Sequence, residues 1–271
     1  MKNEVFNGSR FWTYFKYDLT QMWRYHMRAA LGIGLSGLIV YVVAVAFGLI
    51  INHTWAAPSF IARVATFFTA FAILELYQTR TYGYLTDKQK GSAWLMIPAS
   101  TLEKWLSMMV MTLIVIPLVF LVSFFAVDSL LCLIDPTCGG AILGKTSELI
   151  SAFQAKLGEA NAFYETAWSI RMFIGICIAS YCANFLFFLL CGLCFKRYKI
   201  LAAFAIIFVL SLLFSIFFGF FGMGYMEQNF TDFADAEAFL RGYLRWTTIS
   251  SWIMAIGLGG GIYYRIKTLK H

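Results

Sequence analysis

The sequence predicts an all-α, polytopic membrane protein with about six transmembrane helices, an N-terminal interfacial helix and amphipathic outer helices. Of its 271 residues, 61% are hydrophobic and only 13% are charged, whereas a soluble domain usually carries about 25% charged residues. Nearly uncharged runs of about 20 residues, the length that crosses a hydrocarbon layer as a helix, also recur along the chain. Because one soluble core cannot hide so much apolar surface, a lipid-facing surface is expected.

Six segments are long and apolar enough to be membrane spans, and we see no linker between domains. The spans are residues 29–51, 58–77, 106–127, 168–195, 201–223 and 248–264. We therefore expect one membrane domain, residues 1–271. Its parts are a cytoplasmic or interfacial helix (1–28), three spans (29–127) with a cytoplasmic connection at 79–105, an outer loop (128–167), three further spans (168–264) and a cytoplasmic tail (265–271).

The distribution of charge predicts how the chain is oriented. Segments 1–28, 78–105, 196–199 and 265–271 carry 15 of the 21 Lys and Arg residues, and the alternate segments carry nine of the 14 acids. Cytoplasmic flanks of membrane helices are enriched in Lys and Arg. Both termini are therefore expected in the cytoplasm. The plasma (bacterial inner) membrane is the expected location, which the charge distribution does not itself determine. Spread over four short segments, the net charge of +7 does not indicate a nucleic-acid partner.

Residues 9–28 mix aromatic and basic side chains immediately before the first span. This composition is typical of a helix in the membrane interface, with rings among the headgroups and cations toward anionic lipid. Membrane lipid is therefore an expected partner. The alternative is a simple extension of the first span. Just inside that span, Gly34 and Gly37 favour close packing of helices in lipid.

Two charged residues of the second predicted span, Arg63 and Glu75, are candidates for a transport pathway. A charge within a bilayer is expensive and is a functional candidate by default. Both residues lie within about two turns of a predicted end, where a long side chain can reach the interface. Anchoring of the helix end is favoured for Arg63, and the two roles are equally open for Glu75.

Two features of the predicted outer loop concern cysteine chemistry and nucleotide binding. Cys132 and Cys138 lie where a disulfide could persist, and two free thiols are the alternative. Residues 139–146, GGAILGKT, match the phosphate-binding loop pattern at every position. That loop needs a preceding buried strand, and a chain of helical spans leaves no room for the supporting sheet, so we interpret the match as coincidental. With no histidine, paired-acid or metal cluster, the chain is expected to be no enzyme and to bind no metal or cofactor.

The connection between the second and third spans is the most informative stretch. It joins a charged start to a glycine, an apolar patch at residues 94–97 (Trp-Leu-Met-Ile), a proline, and a helix start that Ser100 or Thr101 can cap. Its candidate site residues are Asp87, Lys88, Lys90, Gly91, Trp94, Leu95, Ile97, Pro98, Glu103 and Lys104. The pattern predicts a short amphipathic helix beneath the membrane that transmits a push from a cytoplasmic partner. The alternative is an interfacial helix that has no partner.

In this stretch the sequence resembles the permease subunits of type-2 ATP-binding-cassette (ABC) exporters. The resemblance rests on residues 87–107, DKQKGSAWLMIPASTLEKWLS, which contain a charged pair, Gly-Ser, an apolar run, Pro and a helix start with Glu103 and Lys104. The layout of six spans, cytoplasmic termini and a preceding interfacial helix is also similar to that family's. Residues Asp87 to Ile97, with Pro98, Glu103 and Lys104 at the exit, match the family's coupling element.

This resemblance implies a transmembrane subunit that forms a dimer with a second copy or a paralogue. A separate cytoplasmic ABC ATPase, which holds ATP and Mg, would dock on the coupling element and drive a substrate outward. An amphiphilic substrate is the class that the resemblance favours. The alternative is a polytopic membrane protein outside this family, such as a small channel, a secondary transporter or an assembly subunit.

Overall fold

The computed structural model describes residues 6–148, 151, 163–217 and 233–269, and every regular element in them is helical. Four helices are long and apolar enough to cross a membrane: Gly8–Ile51, Phe60–Thr86, Thr101–Ile134 and Ile174–Cys194. They correspond to the first four predicted spans. Large apolar side chains such as Ile50, Ile61 and Leu133 remain exposed along them, which lipid tails accommodate and water does not. The chain is an all-α, polytopic membrane protein, as the composition predicts.

The fifth and sixth predicted spans also lie in helices of the described residues, although they are not among these four. The fifth belongs to helix Lys199–Phe217, and residues 218–223 of that prediction lie outside the described part. The sixth lies in helix Phe233–Thr268, whose glycine, serine and tyrosine residues lower its mean hydropathy. This helix also contains residues 233–247, which belong to the segment 225–247 predicted to form an amphipathic outer helix, so residues 233–247 and the sixth span form one continuous helix. Most of the other outer segment, 149–150 and 152–162, lies outside the described residues.

The described α-helices are labelled here in chain order. They are α1 (Gly8–Met22), α2 (Arg28–Gly34), α3 (Ser36–Phe47), α4 (Phe60–Thr81), α5 (Lys88–Leu95), α6 (Thr101–Val110), α7 (Ile116–Ile134), α8 (142–148), α9 (Phe163–Cys194), α10 (Lys199–Phe217) and α11 (Phe233–Thr268). Contacts between residues divide the chain into two compact units. One comprises Met1–Tyr77 and Pro98–Thr166, and the other Gln78–Ile97 and Ala167–His271.

In the first unit, the chain from α1 to α3 runs beside the chain from α6 to α7, in the same direction. The Ser107 hydroxyl donates to the Asp18 carboxylate at 2.6 Å. Sixteen residues further along both chains, Gly34 lies directly against Ser123. The small residue at position 34 therefore allows close approach of the two helices, as the sequence predicts.

Helix α4 packs against α7 in the opposite direction, through an aromatic cluster. The rings of Phe67 and Phe124 lie 5.2 Å apart between centroids, and those of Phe71 and Phe120 lie 6.0 Å apart. Ring pairs at this separation add to the stability that burial of their area provides. The helices α1–α3 and α6–α7 are thus parallel, and α4, which lies between them in the sequence, is antiparallel to α7. Three successive membrane crossings are expected to have this arrangement.

Helix α1 continues into the first span instead of turning into a separate interfacial helix. A π-helical turn, Trp23–Met27, connects α1 to α2, and the residues at both of its ends keep right-handed helical dihedral angles. The resulting helix, Gly8–Ile51, has 44 residues and is about 66 Å long, about twice the thickness of the hydrocarbon layer. The structure thus shows the alternative expectation, an extension of the first span. Aromatic Trp12 and Trp23 remain exposed on it.

Replacing Gly34 by leucine should separate these helices. A Cβ at this position would overlap the Ser123 side chain and lie 3.2 Å from the Phe120 carbonyl oxygen. Overpacking of a close contact typically costs about 1–3 kcal/mol. Unfolding in detergent, followed by circular dichroism, should therefore show a lower midpoint for Gly34→Leu. The matched control is Gly32→Leu, two residues away, where a Cβ meets nothing within 4 Å; equal loss in both variants would contradict the prediction.

In the second unit, α9 and α11 run parallel to one another. Gly175 of α9 lies against Thr248 of α11, 3.6 Å from an added Cβ to the threonine methyl carbon. Near the other end, the Arg265 side chain donates from Nε to the Leu193 carbonyl oxygen at 3.2 Å. These contacts place the predicted fourth and sixth spans side by side with the same direction, as an even number of steps between them requires.

Candidate functional site

The predicted coupling segment forms a 3-10 turn, Gly83–Thr86, followed by α5. Asp87 occupies the N-cap position of α5 with extended backbone angles, but no hydrogen bond from its side chain caps the helix. The helix ends at Leu95, and the Ile97 amide still bonds to the Trp94 carbonyl oxygen at 3.3 Å. Pro98 follows, which disfavours helical angles for the residue before it.

The exposed residue of the apolar patch is Met96, not Trp94. Trp94 is only 5% exposed, whereas Met96 is 83% exposed; Leu95 and Ile97 are half-buried. Trp94, which the sequence predicts as the docking anchor, is buried, and its part in docking stays a prediction. In the sequence the four residues form one apolar patch, and only the packing around α5 distinguishes Met96 from Trp94.

The other candidate residues of the coupling segment differ in their exposure to solvent. Asp87 and Pro98 are exposed and Gly91 is buried. Lys88 and Lys90 belong to α5, but their side chains lie outside the described part of the structure. Their role as charged contacts stays a prediction.

The 3-10 turn is held by Lys199, the first residue of α10. Its ammonium group donates to the Gly83 carbonyl oxygen and, at 3.0 Å, to the Thr86 hydroxyl. The Thr86 hydroxyl in turn donates to the Gly83 carbonyl oxygen at 2.9 Å. Burial lowers the pKa of Lys199, and the Asp87 carboxylate acts in the opposite direction. In the sequence Lys199 is one of the basic residues that indicate the cytoplasmic side, and no local pattern connects it to Gly83.

Glu103 and Lys104, predicted at the exit of the segment, face inward. Glu103 is 0% exposed and Lys104 5% exposed. The Ser100 hydroxyl and the Glu103 carboxylate form a reciprocal capping box at the start of α6, so the predicted cap at Ser100 is confirmed. Both charged groups are buried within this chain, and their part in coupling to a partner stays a prediction.

The carboxylate of Glu103 also binds the N-terminal end of α1. Arg10 donates to it from Nε at 2.8 Å and from Nη2 at 2.8 Å, and the Asn7 amide donates at 2.9 Å. Hydrogen bonds to charged groups are roughly twice as strong as neutral ones, and a forked guanidinium contact fixes orientation. Within the first unit, Glu103 therefore ties two helix N-termini together.

Arg63 lies in a second polar cluster, buried in the first unit. It is 6% exposed and donates from Nη1 to Asp128 Oδ1 at 2.8 Å. Its second terminal nitrogen, Nη2, donates to the carbonyl oxygens of Cys138 and Gly140 at 3.0 and 2.9 Å. The favoured expectation that Arg63 reaches the interface as an anchor is wrong, because its charge is paired inside the protein. Glu75 lies half-buried in α4, and its place in a pathway stays a prediction.

The two cysteines of the predicted outer loop belong to the same cluster as free thiols. Arg63 Nη1 also donates to Cys132 Sγ at 2.8 Å, while Cys138 contributes its carbonyl oxygen to the guanidinium. The disulfide that the sequence allows is not formed in the structure. Nearby, hydrogen bonds from Tyr41, Thr137 and Trp55 lower the pKa of Asp135 well below its usual range.

Residues 139–146, which match the phosphate-binding loop pattern, contribute hydrogen bonds to this cluster. They do not have the geometry of such a loop. Helix α7 and a 3-10 turn precede it instead of a strand. The Ile142 amide donates to Asp128 Oδ2 at 2.7 Å, and the Lys145 ammonium lies 5.6 Å from the centre of the Phe60 ring. The amide and the lysine that would contact phosphates thus have partners within the protein.

Comparison with protein-family models, curated proteins and solved structures finds no match for this chain. Within residues 6–148, 151, 163–217 and 233–269, no three or more His, Cys, Asp or Glu side chains are grouped as metal ligands would be. Two structural features of the described residues can bear on function. One is the segment 83–97, bound to Lys199, and the other is the buried cluster around Arg63.

Proposed function

We propose that this chain is the transmembrane permease subunit of an ABC exporter in the bacterial inner membrane. The observation that carries the proposal is the short helix α5: Met96, the residue immediately after it, is exposed, and the 3-10 turn immediately before it is bound to Lys199. A rigidly held helix with one prominent apolar side chain is suited to dock in a cleft of another protein, since methionine is enriched at interfaces and adapts to irregular pockets. The sequence resemblance at residues 87–107 supports the same reading.

The partner in this proposal is a separate cytoplasmic ABC ATPase that binds ATP and Mg. A second permease copy or a paralogue completes a dimer, and hydrolysis in the ATPase drives an amphiphilic substrate outward. Both termini and the docking segment, defined as residues 83–97, lie on the cytoplasmic side, and six spans cross the membrane. The parallel pairing within each unit, described above, supports this alternation.

Replacing Met96 by glutamate should weaken binding of the ATPase. A charge in the centre of an apolar contact would be desolvated without a partner, so we expect affinity to fall at least tenfold, or about 1.4 kcal/mol. Affinity purification from the native host, quantified by mass spectrometry, measures the ATPase recovered for each amount of membrane-inserted chain. The matched control is Tyr17→Glu, which places the same charge at an exposed aromatic residue of α1.

The outcomes of this experiment separate the proposals. If Met96→Glu and Tyr17→Glu recover the ATPase equally well, Met96 is not in the docking surface. If the native chain recovers no ABC ATPase at all, the exporter proposal is dropped in favour of a channel, a secondary transporter or an assembly subunit. Trp94→Ala is unsuited to this test, because truncation of a buried tryptophan costs about 3–5 kcal/mol of stability.

Accessibility of single cysteines should report the orientation. In a background in which all six native cysteines are replaced by alanine, Gln89→Cys and Lys196→Cys should resist an impermeant thiol reagent in intact cells. Ser147→Cys, on the predicted outer side, should react. All three residues are exposed in the structure, so burial does not explain a difference between them. Labelling of Gln89→Cys from outside would contradict the proposed topology.

A further inference from the structure

We infer that Lys199 is a positioning residue that fixes the docking segment to α9 and α10, so that a push on the segment is delivered to these two helices. The inference deepens the proposed function and rests on it. Lys199 begins α10, and the turn before it follows the last residue of α9. A single ammonium group therefore connects the start of the docking segment to the junction of two long apolar helices.

The turn that receives this contact is well buried. Leu85 is 0% exposed and Thr86 6% exposed. The Leu85 amide donates to the Tyr82 carbonyl oxygen at 3.1 Å, and the Asp87 amide donates to that of Tyr84 at 3.0 Å. Since the turn is already ordered by its own hydrogen bonds, Lys199 binds a preformed acceptor pair.

Glycine at position 83 leaves the room that Lys199 occupies. A Cβ on Gly83 would lie 2.8 Å from the Lys199 nitrogen and 3.5 Å from its Cδ. The Gly83 carbonyl oxygen accepts from both Lys199 and Thr86. A side chain at this position would therefore displace the ammonium group without removing either charge or acceptor.

A second contact connects the end of α4, which leads into the docking segment, to α9. Gly192 lies directly against the backbone of Thr79, so that a Cβ on Gly192 would overlap the Thr79 carbonyl group. Thr79 is completely buried. Backbone contact of this kind holds the end of α4, and Lys199 holds the docking segment four to seven residues later in the chain. Two contacts separated along the chain resist rotation of the docking segment as well as its displacement.

The carboxylate of Asp87 contributes electrostatically to the same contact. It acts on Lys199 from the exposed end of the turn, where it borders α5. Asp87 therefore lies between the turn that Lys199 binds and α5, which is proposed to contact the partner. Displacement of α5 is expected to move the adjoining turn, and with it the Gly83 and Thr86 oxygens that accept from Lys199. The Lys199 side chain then passes this movement to α10.

Hydrogen–deuterium exchange of the isolated chain in lipid nanodiscs tests the contact without any ATPase. We expect Lys199→Met to speed exchange of peptides covering residues 83–97 by about tenfold, as loss of a hydrogen bond to a charged group allows. Lys199→Arg retains donors that reach the same acceptors and should restore most of the protection. Peptides from 8–22 should exchange as in the native chain, which shows that the variant is folded.

Two further variants keep the test decisive if Lys199→Met does not accumulate. Thr86→Val removes one acceptor and should speed exchange of the same peptides to a smaller extent. Gly83→Ala should do so by displacing the ammonium group, whereas Gly260→Ala, where a Cβ meets nothing within 4 Å, should not. Exchange of residues 83–97 that is unchanged in Lys199→Met and Gly83→Ala would overturn the inference.

The delivery of motion is tested on the complex with the copurified ATPase. A non-hydrolysable ATP analogue should alter exchange in peptides covering 195–205 of the native chain and of Lys199→Arg. In Lys199→Met the response should be confined to residues 83–97. An equal response at 195–205 in Lys199→Met would overturn delivery through this residue. Failure to recover any ATPase would instead refute the proposed function, and exchange of the isolated chain would still decide the contact.

Discussion

Replacing Arg63 by leucine should lower the free energy of unfolding by about 3–5 kcal/mol, the usual cost of removing one partner from a buried ion pair. Asp128 would keep a negative charge in surroundings where it is only 6% exposed. The two carbonyl oxygens that Arg63 binds, on Cys138 and Gly140, would also lose their donors. Unfolding by sodium dodecyl sulfate in mixed micelles, followed by circular dichroism, measures the loss.

The double variant Arg63→Leu/Asp128→Asn is the matched control. Asparagine removes the unpaired charge but keeps an oxygen for the Ile142 amide, which bonds to Asp128 Oδ2 in the structure. We expect the double variant to recover about half of the loss, since an unpaired charge costs more than unmet neutral acceptors. A single variant within about 0.5 kcal/mol of the native chain would contradict the buried pair, because surface changes alone have effects of that size.

Replacing Glu103 by alanine should cost about 2–3 kcal/mol, the next largest effect that we expect. The carboxylate accepts hydrogen bonds from the Arg10 guanidinium and from the amides of Asn7 and Ser100. Hydrogen bonds to a charged group contribute about 1.5–3 kcal/mol, and the change also leaves the buried Ser100 amide without its acceptor and removes half of a capping box. The same unfolding assay measures the change, and exchange of residues 8–22 and 100–110 should rise together.

Two variants separate the parts of this effect. Glu103→Gln retains an oxygen for the amides and loses the attraction to Arg10, so it should cost less than Glu103→Ala. Ser100→Ala removes only the reciprocal cap and should cost about 0.5–2 kcal/mol, without faster exchange of residues 8–22. If Glu103→Ala leaves the exchange of α1 unchanged, the carboxylate does not tie the two helices together.

Much of the architecture follows from local properties of the sequence. Uncharged runs such as 106–127 predict spans because backbone groups in lipid must be satisfied within the segment, which a helix achieves alone. Ser100 followed by Glu103 predicts a helix start, because the two side chains bond backbone amides only three residues away. Gly34 predicts a close helix contact, because the absence of a side chain is itself the local requirement.

Properties that depend on distant partners were not predictable in this way. Arg63 is 65 residues from Asp128, and its charge near a span end looks the same whether it reaches the interface or a buried carboxylate. The sequence likewise does not show whether residues 9–28 bend away from the first span, because that depends on whether α6 lies alongside them. Here Glu103 binds Arg10 across 93 positions, and α1 stays aligned with α6.

Composition and local patterns are enough to predict that this protein is helical, lies in a membrane and carries a charged, glycine-containing connection that ends at Pro98 and Ser100. Which side chains of that connection are exposed depends on contacts between distant parts of the chain. Trp94 and Met96 are both apolar and two positions apart, so hydropathy cannot distinguish them. Burial is a property of what surrounds a side chain: α5 turns Trp94 inward and leaves Met96 exposed, while Lys199, more than a hundred residues away, binds the turn before it.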